Sequence, residues 1–133
     1  MGKLFNVIIM KHLPNIQFKV IPAKKQRYET CGDYFPSKEG YQFRVSKWKV
    51  DYEFLIMIHE MIEWYLTQKR GISEKSISKF DIEFNKKGLE GEPGDHKDAP
   101  YKKEHHFAEK IEKIIAKELG IDWQKYDAEG YPY

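Results

Sequence analysis

Residues 51–70 read DYEFLIMIHEMIEWYLTQKR, and this stretch, Asp51 to Arg70, decides the fold class. It holds neither Gly nor Pro, is rich in helix formers, and is followed by Gly71, which suits the left-handed position just past a helix end. One long helix is predicted. On a wheel of about 100° per residue with His59 at the origin, Glu63 falls about 40° and Glu60 about 100° away, beside Tyr52, Ile56 and Thr67. Phe54, Leu55, Met57, Ile58, Met61, Ile62, Tyr65 and Leu66 cover about 200° of the remainder. A helix that apolar is expected to be buried on most sides, so its polar arc should open into a cleft.

Upstream of this helix the sequence reads as strands. Leu4–Met10 and Ile16–Pro22 are β-branched or aromatic runs separated by the turn signal Leu13-Pro14-Asn15, which predicts a hairpin. Asp33–Pro36 and Tyr41–Val45 flank Ser37-Lys38-Glu39-Gly40 and predict a second one. There Tyr41, Phe43 and Val45 alternate as the inward set against Gln42, Arg44 and Ser46. Downstream, Ser73 suits the cap of a short helix in which Ile77 and Phe80 or Phe84 recur at helical spacing. Asn85–Pro100, with Gly88, Gly91, Gly94, Pro93 and Pro100, reads as a long loop. A loop of that length in a small domain is either disordered or functional, and this one carries Asp95 and His96. Asp98 is the expected cap of a last helix with Pro100 in its first turn, and Tyr101, Ala108, Ile111, Ile115 and Leu119 are its expected buried stripe before Gly120. The tail from Ile121 to Tyr133 carries Trp123, Tyr126, Tyr131 and Tyr133, which can fold back on the core. The expected fold is α+β: a small antiparallel sheet of N-terminal hairpins packed on two long helices with a short third. Residues 1–133 form one domain in this reading, with 1–15 as an N-terminal extension or strand and 85–100 as the long loop.

Composition narrows the function classes. A chain of 133 residues, 41% hydrophobic and 15% aromatic, is long enough to bury a core. Its 23 basic and 21 acidic residues leave a formal charge of +2, and the basic ones are scattered, so nothing points to nucleic acid. Tyr28, Tyr34, Tyr41 and Phe43 offer stacking surfaces for single strands but lack a basic patch beside them. Cys31 stands alone, cannot form an internal disulfide, and reads as a packing residue in a reducing cytoplasm. The apolar run Val7-Ile8-Ile9-Met10 ends at Lys11-His12 without a cleavage signal, and no 18-residue apolar stretch follows. A cytoplasmic protein without a membrane anchor is expected.

The chemistry concentrates on His59, Glu60 and Glu63. Side chains at i and i+4 on one helix face can converge on one metal ion, which is why His-Glu-x-x-His serves zinc hydrolases. The first and fifth residues bind the ion, and the second, set to one side, takes a proton from the bound water. Here the fifth residue is Glu63, and a carboxylate is an acceptable zinc ligand. The pattern arises by chance in roughly one chain in a hundred of this length, so alone it is weak. The bland alternative is a solvated polar face whose glutamates pair with lysines. The third ligand is best sought on the last helix. There the predicted core direction lies between Ile111 and Ala108, Glu104 and Tyr101 share that face, His105 lies at its edge, and His106 points away. His105 is either that ligand or a partly buried histidine bonded to a carbonyl; His106 and His12 read as surface residues. Asp95 and His96 are candidates for a fourth ligand, a hydrogen-bonding partner of the ligands or a lid contact, and Asp81 for a group that orients a ligand histidine.

Taken together, Tyr52-Glu53-Phe54-Leu55, Ile58-His59-Glu60-Met61-Ile62-Glu63, Arg70-Gly71-Ile72, Phe80-Asp81, Glu92-Pro93-Gly94-Asp95, Ala99-Pro100-Tyr101, Glu104-His105 and Leu119-Gly120-Ile121-Asp122-Trp123 resemble a family of small uncharacterised phage and prophage proteins. The resemblance spans about residues 25–126, including Gln26-Arg27-Tyr28 and Gly32-Asp33-Tyr34, and leaves out the first 15. It implies a phage or bacterial cytoplasmic origin. It also implies that the His-Glu-x-x-Glu helix, the Pro-Gly-Asp loop and the Glu104-His105 pair belong to one design. The site is further similar to those of zincin-like metallopeptidases, with Glu63 where the usual second histidine stands. Two functions follow as expectations. One is a zinc-dependent hydrolase with His59, Glu63 and His105 as ligands and Glu60 as general base. The other is a non-catalytic phage accessory protein that docks on a host protein, with the cluster as a structural metal site or a polar network. Three protein ligands and an open position favour the first, a closed four-ligand shell the second.

Overall fold

The computed structural model describes residues 11–129. Three strands, β1 (Ile16–Ile21), β2 (Gly32–Ser37) and β3 (Gly40–Ser46), lie in the order β1-β3-β2. Four helices follow: α1 (Val50–Arg70), α2 (Glu74–Lys86), α3 (Lys102–Glu118) and α4 (Trp123–Ala128). The α+β class holds. The second hairpin forms as expected, β2 antiparallel to β3 with Tyr34 opposite Phe43. The sheet is mixed, however, because β1 runs parallel to β3 with Phe18 opposite Phe43. The expected partner of β1, Leu4–Met10, lies outside the described residues, as do Tyr131 and Tyr133. Alternation in β3 is also less clean than its pattern: Phe43 and Val45 are buried, but so are Gln42 and Ser46. The segment before β2 covers that second face, where Gln26 Nε2 donates to Ser46 Oγ and to the Arg44 carbonyl, and Ser46 Oγ donates to the Thr30 carbonyl.

Helix α1 ends where Gly71 adopts φ 73°, ψ 24°, and its buried residues are Tyr52, Leu55, Ile56, Glu60, Glu63, Trp64 and Thr67. The buried face is thus centred on Glu63, and the polar arc points inward. The arc expected to be covered is the more open side, with Phe54 42% and Tyr65 38% exposed. Trp64 meets Phe43 edge-on at 5.6 Å, which docks α1 on the sheet and anchors a cluster with Tyr34, Ile77, Ala99 and Tyr101. A second cluster joins Tyr52 and Leu55 of α1 to Ala116 of α3 and Tyr126 of α4. Ser73 caps α2, its hydroxyl accepting from the Ser76 amide. Helix α3 begins after Tyr101, so Asp98 does not cap it; residues 96–101 make tight turns instead, with the Ala99 amide on the His96 carbonyl. Its buried residues are Glu104, His105, Ala108, Glu112 and Ala116, while Ile114 is 65% and Leu119 43% exposed. The buried face therefore lies about 50–60° round from the expected direction, toward His105.

Candidate metal centre

The α1–α3 interface places three donor atoms at one point. His59 Nε2 lies 3.1 Å from Glu63 Oε2 and 3.1 Å from His105 Nδ1, and His105 Nδ1 lies 3.2 Å from Glu63 Oε2. A tetrahedral zinc ion with bonds of about 2.1 Å separates its ligands by about 3.4 Å, so this near-equilateral triangle needs to open by only about 0.3 Å. Two of the three donors are held from behind. His59 Nδ1 faces Glu112 Oε1 at 2.7 Å, and Tyr126 OH donates to the other oxygen of Glu112 at 2.6 Å. A proton on Nδ1, donated to Glu112, leaves the Nε2 lone pair facing the centre. Tyr34 OH donates to Glu63 Oε1 at 3.0 Å. His105 turns its Nε2 toward Glu92 Oε2 at 3.1 Å and Asp95 Oδ1 at 3.3 Å, although neither oxygen is placed to accept a hydrogen bond from it.

The three predicted ligands thus come together, and His105 is buried, not at an edge. The other expectations divide. Asp95 approaches His105, whereas His96 turns away, accepting from the Asp98 amide and packing against Phe80 and Phe84. Asp81 lines the same cleft but orients no histidine, since its oxygens accept from Tyr101 OH at 2.5 Å and Tyr28 OH at 3.1 Å. Glu104 holds Arg70 through two bonds, a structural tie between α1 and α3. His106 is exposed yet reaches Asp95 Oδ1 at 3.5 Å. Cys31 lines the cleft, and burial pushes its thiol well above the usual range. Glu112 is a site residue absent from the sequence reading, and Tyr34, Tyr126 and Glu92, named there for other reasons, join it at the site.

Glu60 is buried beside the centre, and its carboxylate forms no hydrogen bond or ion pair among the described residues. It lines a cavity of about 140 Å³ together with His59, Glu63 and His105. Gly32 makes room for it: a Cβ there would meet Glu60 Oε1 at 2.6 Å and Cγ at 2.7 Å. No lysine or arginine lines the cavity, whereas Glu60, Glu63, Asp81, Glu92, Glu109 and Glu112 all do. The electrostatics follow. Burial by itself would lower the pKa of His59, but the carboxylates of Glu112 and Glu63 outweigh it and hold the imidazolium well above its ordinary 6.5. For His105, burial is likewise overcome by Asp95, Glu63 and Glu92. Burial works to raise Glu63, yet the two histidines draw it down to about 2. Burial, reinforced by the Glu63 charge, pushes Glu60 well above the usual carboxylate range, and burial brings Asp81 to about 7.

No protein-family model, no curated protein and no solved structure matches this chain.

Proposed function

We propose that the protein is a metal-dependent hydrolase, with His59, Glu63 and His105 holding one zinc ion and Glu60 acting as general base. The observation that carries this reading is the convergence of three lone-pair donors at 3.1–3.2 Å from one another, with His59 and Glu63 each held by a separate group behind it. Two imidazole nitrogens and a carboxylate oxygen suit zinc better than calcium or magnesium. Among the described residues no fourth His, Cys, Asp or Glu joins these three, which favours an open coordination position over a closed structural shell. When bound, the ion lowers the pKa of a coordinated water and polarises a carbonyl or phosphoryl oxygen. Glu60, beside the ligands and lining the cavity, has no other partner among the described residues and is placed to take the proton.

Protein stripped of metal by a chelator is expected to bind zinc in calorimetry at neutral pH and to lose that binding in His59→Ala. Glu60→Gln should keep the zinc and lose hydrolysis of a p-nitrophenyl ester, a generic reporter of activated water. Failure of the stripped protein to bind zinc sinks the metal reading. Joint loss of zinc and activity in Glu60→Gln reassigns Glu60 as a ligand.

A further inference from the structure

The far side of His105 carries a second set of donors that the zinc reading leaves unused. Glu92 Oε2, Asp95 Oδ1 and Glu109 Oε2 lie 3.1, 3.3 and 3.9 Å from His105 Nε2. One ligand atom from each of Glu92, Asp95, His105 and Glu109 falls within 4.8 Å of all the others. The three carboxylates come from two places: Glu92 and Asp95 from the loop between α2 and α3, Glu109 from the next turn of α3. What points them at a ligand is the ring itself. His105 is only 5% exposed, and its Nε2 is buried without a hydrogen-bond partner although three carboxylates surround it. A buried ring nitrogen left unmatched is costly, and a cation between it and the carboxylates would satisfy all four at once. Charge argues the same way. Glu63, Glu92, Asp95, Glu109 and Glu112 crowd around His59 and His105, and one divalent ion offsets only two of those charges.

We propose that Glu92, Asp95 and Glu109 hold a second divalent cation that takes Nε2 of His105 as its nitrogen ligand. The inner ion at Nδ1 rests on the function proposed above; with both bound, one imidazole bridges the two. The ring then gives up its remaining N–H proton to solvent as the second ion binds, so proton release accompanies that equivalent. Three carboxylate oxygens and one nitrogen suit zinc or manganese, and the outer position is the weaker because Glu92, Asp95 and Glu109 are partly open to water. Gly94 belongs to this arrangement: the Glu92–Asp95 turn can lie against the ring only because residue 94 has no Cβ, which would run into His105 Cγ and Nδ1.

Zinc titrated into chelator-stripped full-length protein is expected to give two equivalents by calorimetry. The double variant Glu92→Gln/Asp95→Asn should lose the weaker equivalent and keep the tighter, and both substituted side chains are open enough to leave folding intact. His59→Ala should lose the tighter and keep the weaker. A single equivalent that His59→Ala removes and the double variant leaves alone overturns the outer site while the inner one stands. A single equivalent with the opposite response overturns the inner reading and supports the outer. Two equivalents that both survive the double variant overturn the assignment of these carboxylates.

Discussion

His59 and His105 hold protons and would hold zinc through the same lone pairs, so acidity and metal compete at single atoms. In the folded chain both imidazoles stay protonated well above their ordinary 6.5, because Glu112 and Glu63 stabilise one cation, and Asp95, Glu63 and Glu92 the other, against the effect of burial. Unfolding returns them to about 6.5. Above that pH the folded state binds more protons than the unfolded state, so stability falls as pH rises, by at most about 1.4 kcal/mol per pH unit for each proton. That stabilisation is fully present below pH 6.5 and is lost as pH climbs toward the raised folded-state values. Glu60, raised by burial and the Glu63 charge, has the same sign as the histidines. Glu63, lowered to about 2, contributes stability that is lost only in acid, below 4.5; Asp81, raised to about 7, has the sign of the histidines but acts between 3.8 and about 7. Stripped protein should therefore show a falling urea midpoint from pH 7 to 8.5, whereas zinc affinity should rise over the same range as protons leave the ligands. A level or rising midpoint in the stripped protein contradicts the proton assignment. Glu112→Gln should weaken zinc about 10–100-fold, the usual loss when the group orienting a ligand histidine is changed.

Helices α1 and α3 meet along a polar seam: Arg70 with Glu104, Glu63 with His105, His59 with Glu112, running to Leu55 with Ala116. The register of α3 decides which histidine faces the centre. His105→Ala should abolish the inner zinc, and His106→Ala, half-exposed on the next position, should leave it unchanged. Gly94→Ala tests the backing loop, since its Cβ must displace the His105 ring; zinc affinity should drop at least about tenfold. Normal zinc affinity in Gly94→Ala would show that the ring has room to move. How much of this was legible follows from the same elements. Asp51–Arg70 announced itself because a breaker-free run ending in Gly is a local signal, and His59 and Glu63 share a face by helical geometry alone. Glu112 was invisible, since a single carboxylate on a helix in a chain with 33% charged residues carries no mark of burial. Ile111 and Ile115 pull the predicted face of α3 round, because apolar spacing marks a core by sequence while the true seam is carboxylate and imidazole. The parallel pairing of β1 with β3 depends on contacts far apart in sequence, which alternation within one strand does not encode.

Over the molecule as a whole, the candidate centre is a polar layer set between two separate apolar clusters, one around Trp64 and Phe43, the other around Leu55 and Tyr126. Such a layer contributes little to stability by itself, because ions taken out of water recover their desolvation cost only through close pairing. The cluster around Trp64, 1% exposed, supplies the mechanical hold on the sheet, and Trp64→Ala should cost about 3–5 kcal/mol. Zinc at the inner position would join elements that are far apart in the chain: His59 and Glu63 on α1, His105 on α3, and through His105 the turn at Glu92–Asp95. The unfolded chain offers no preformed site, so binding free energy adds to folding, by about 2.7 kcal/mol when free zinc is a hundred times the dissociation constant. The gain should be unevenly distributed. Amide hydrogen exchange followed with and without zinc is expected to slow in α3 and in residues 88–101, whose opening breaks the ligand set, and to change little in β2 and β3, which Trp64 already holds. Glu60→Gln should reproduce the wild-type pattern and His105→Ala should erase it. Equal slowing across sheet and helices would mean that zinc merely raises global stability, and the bridging role assigned to His105 would fall.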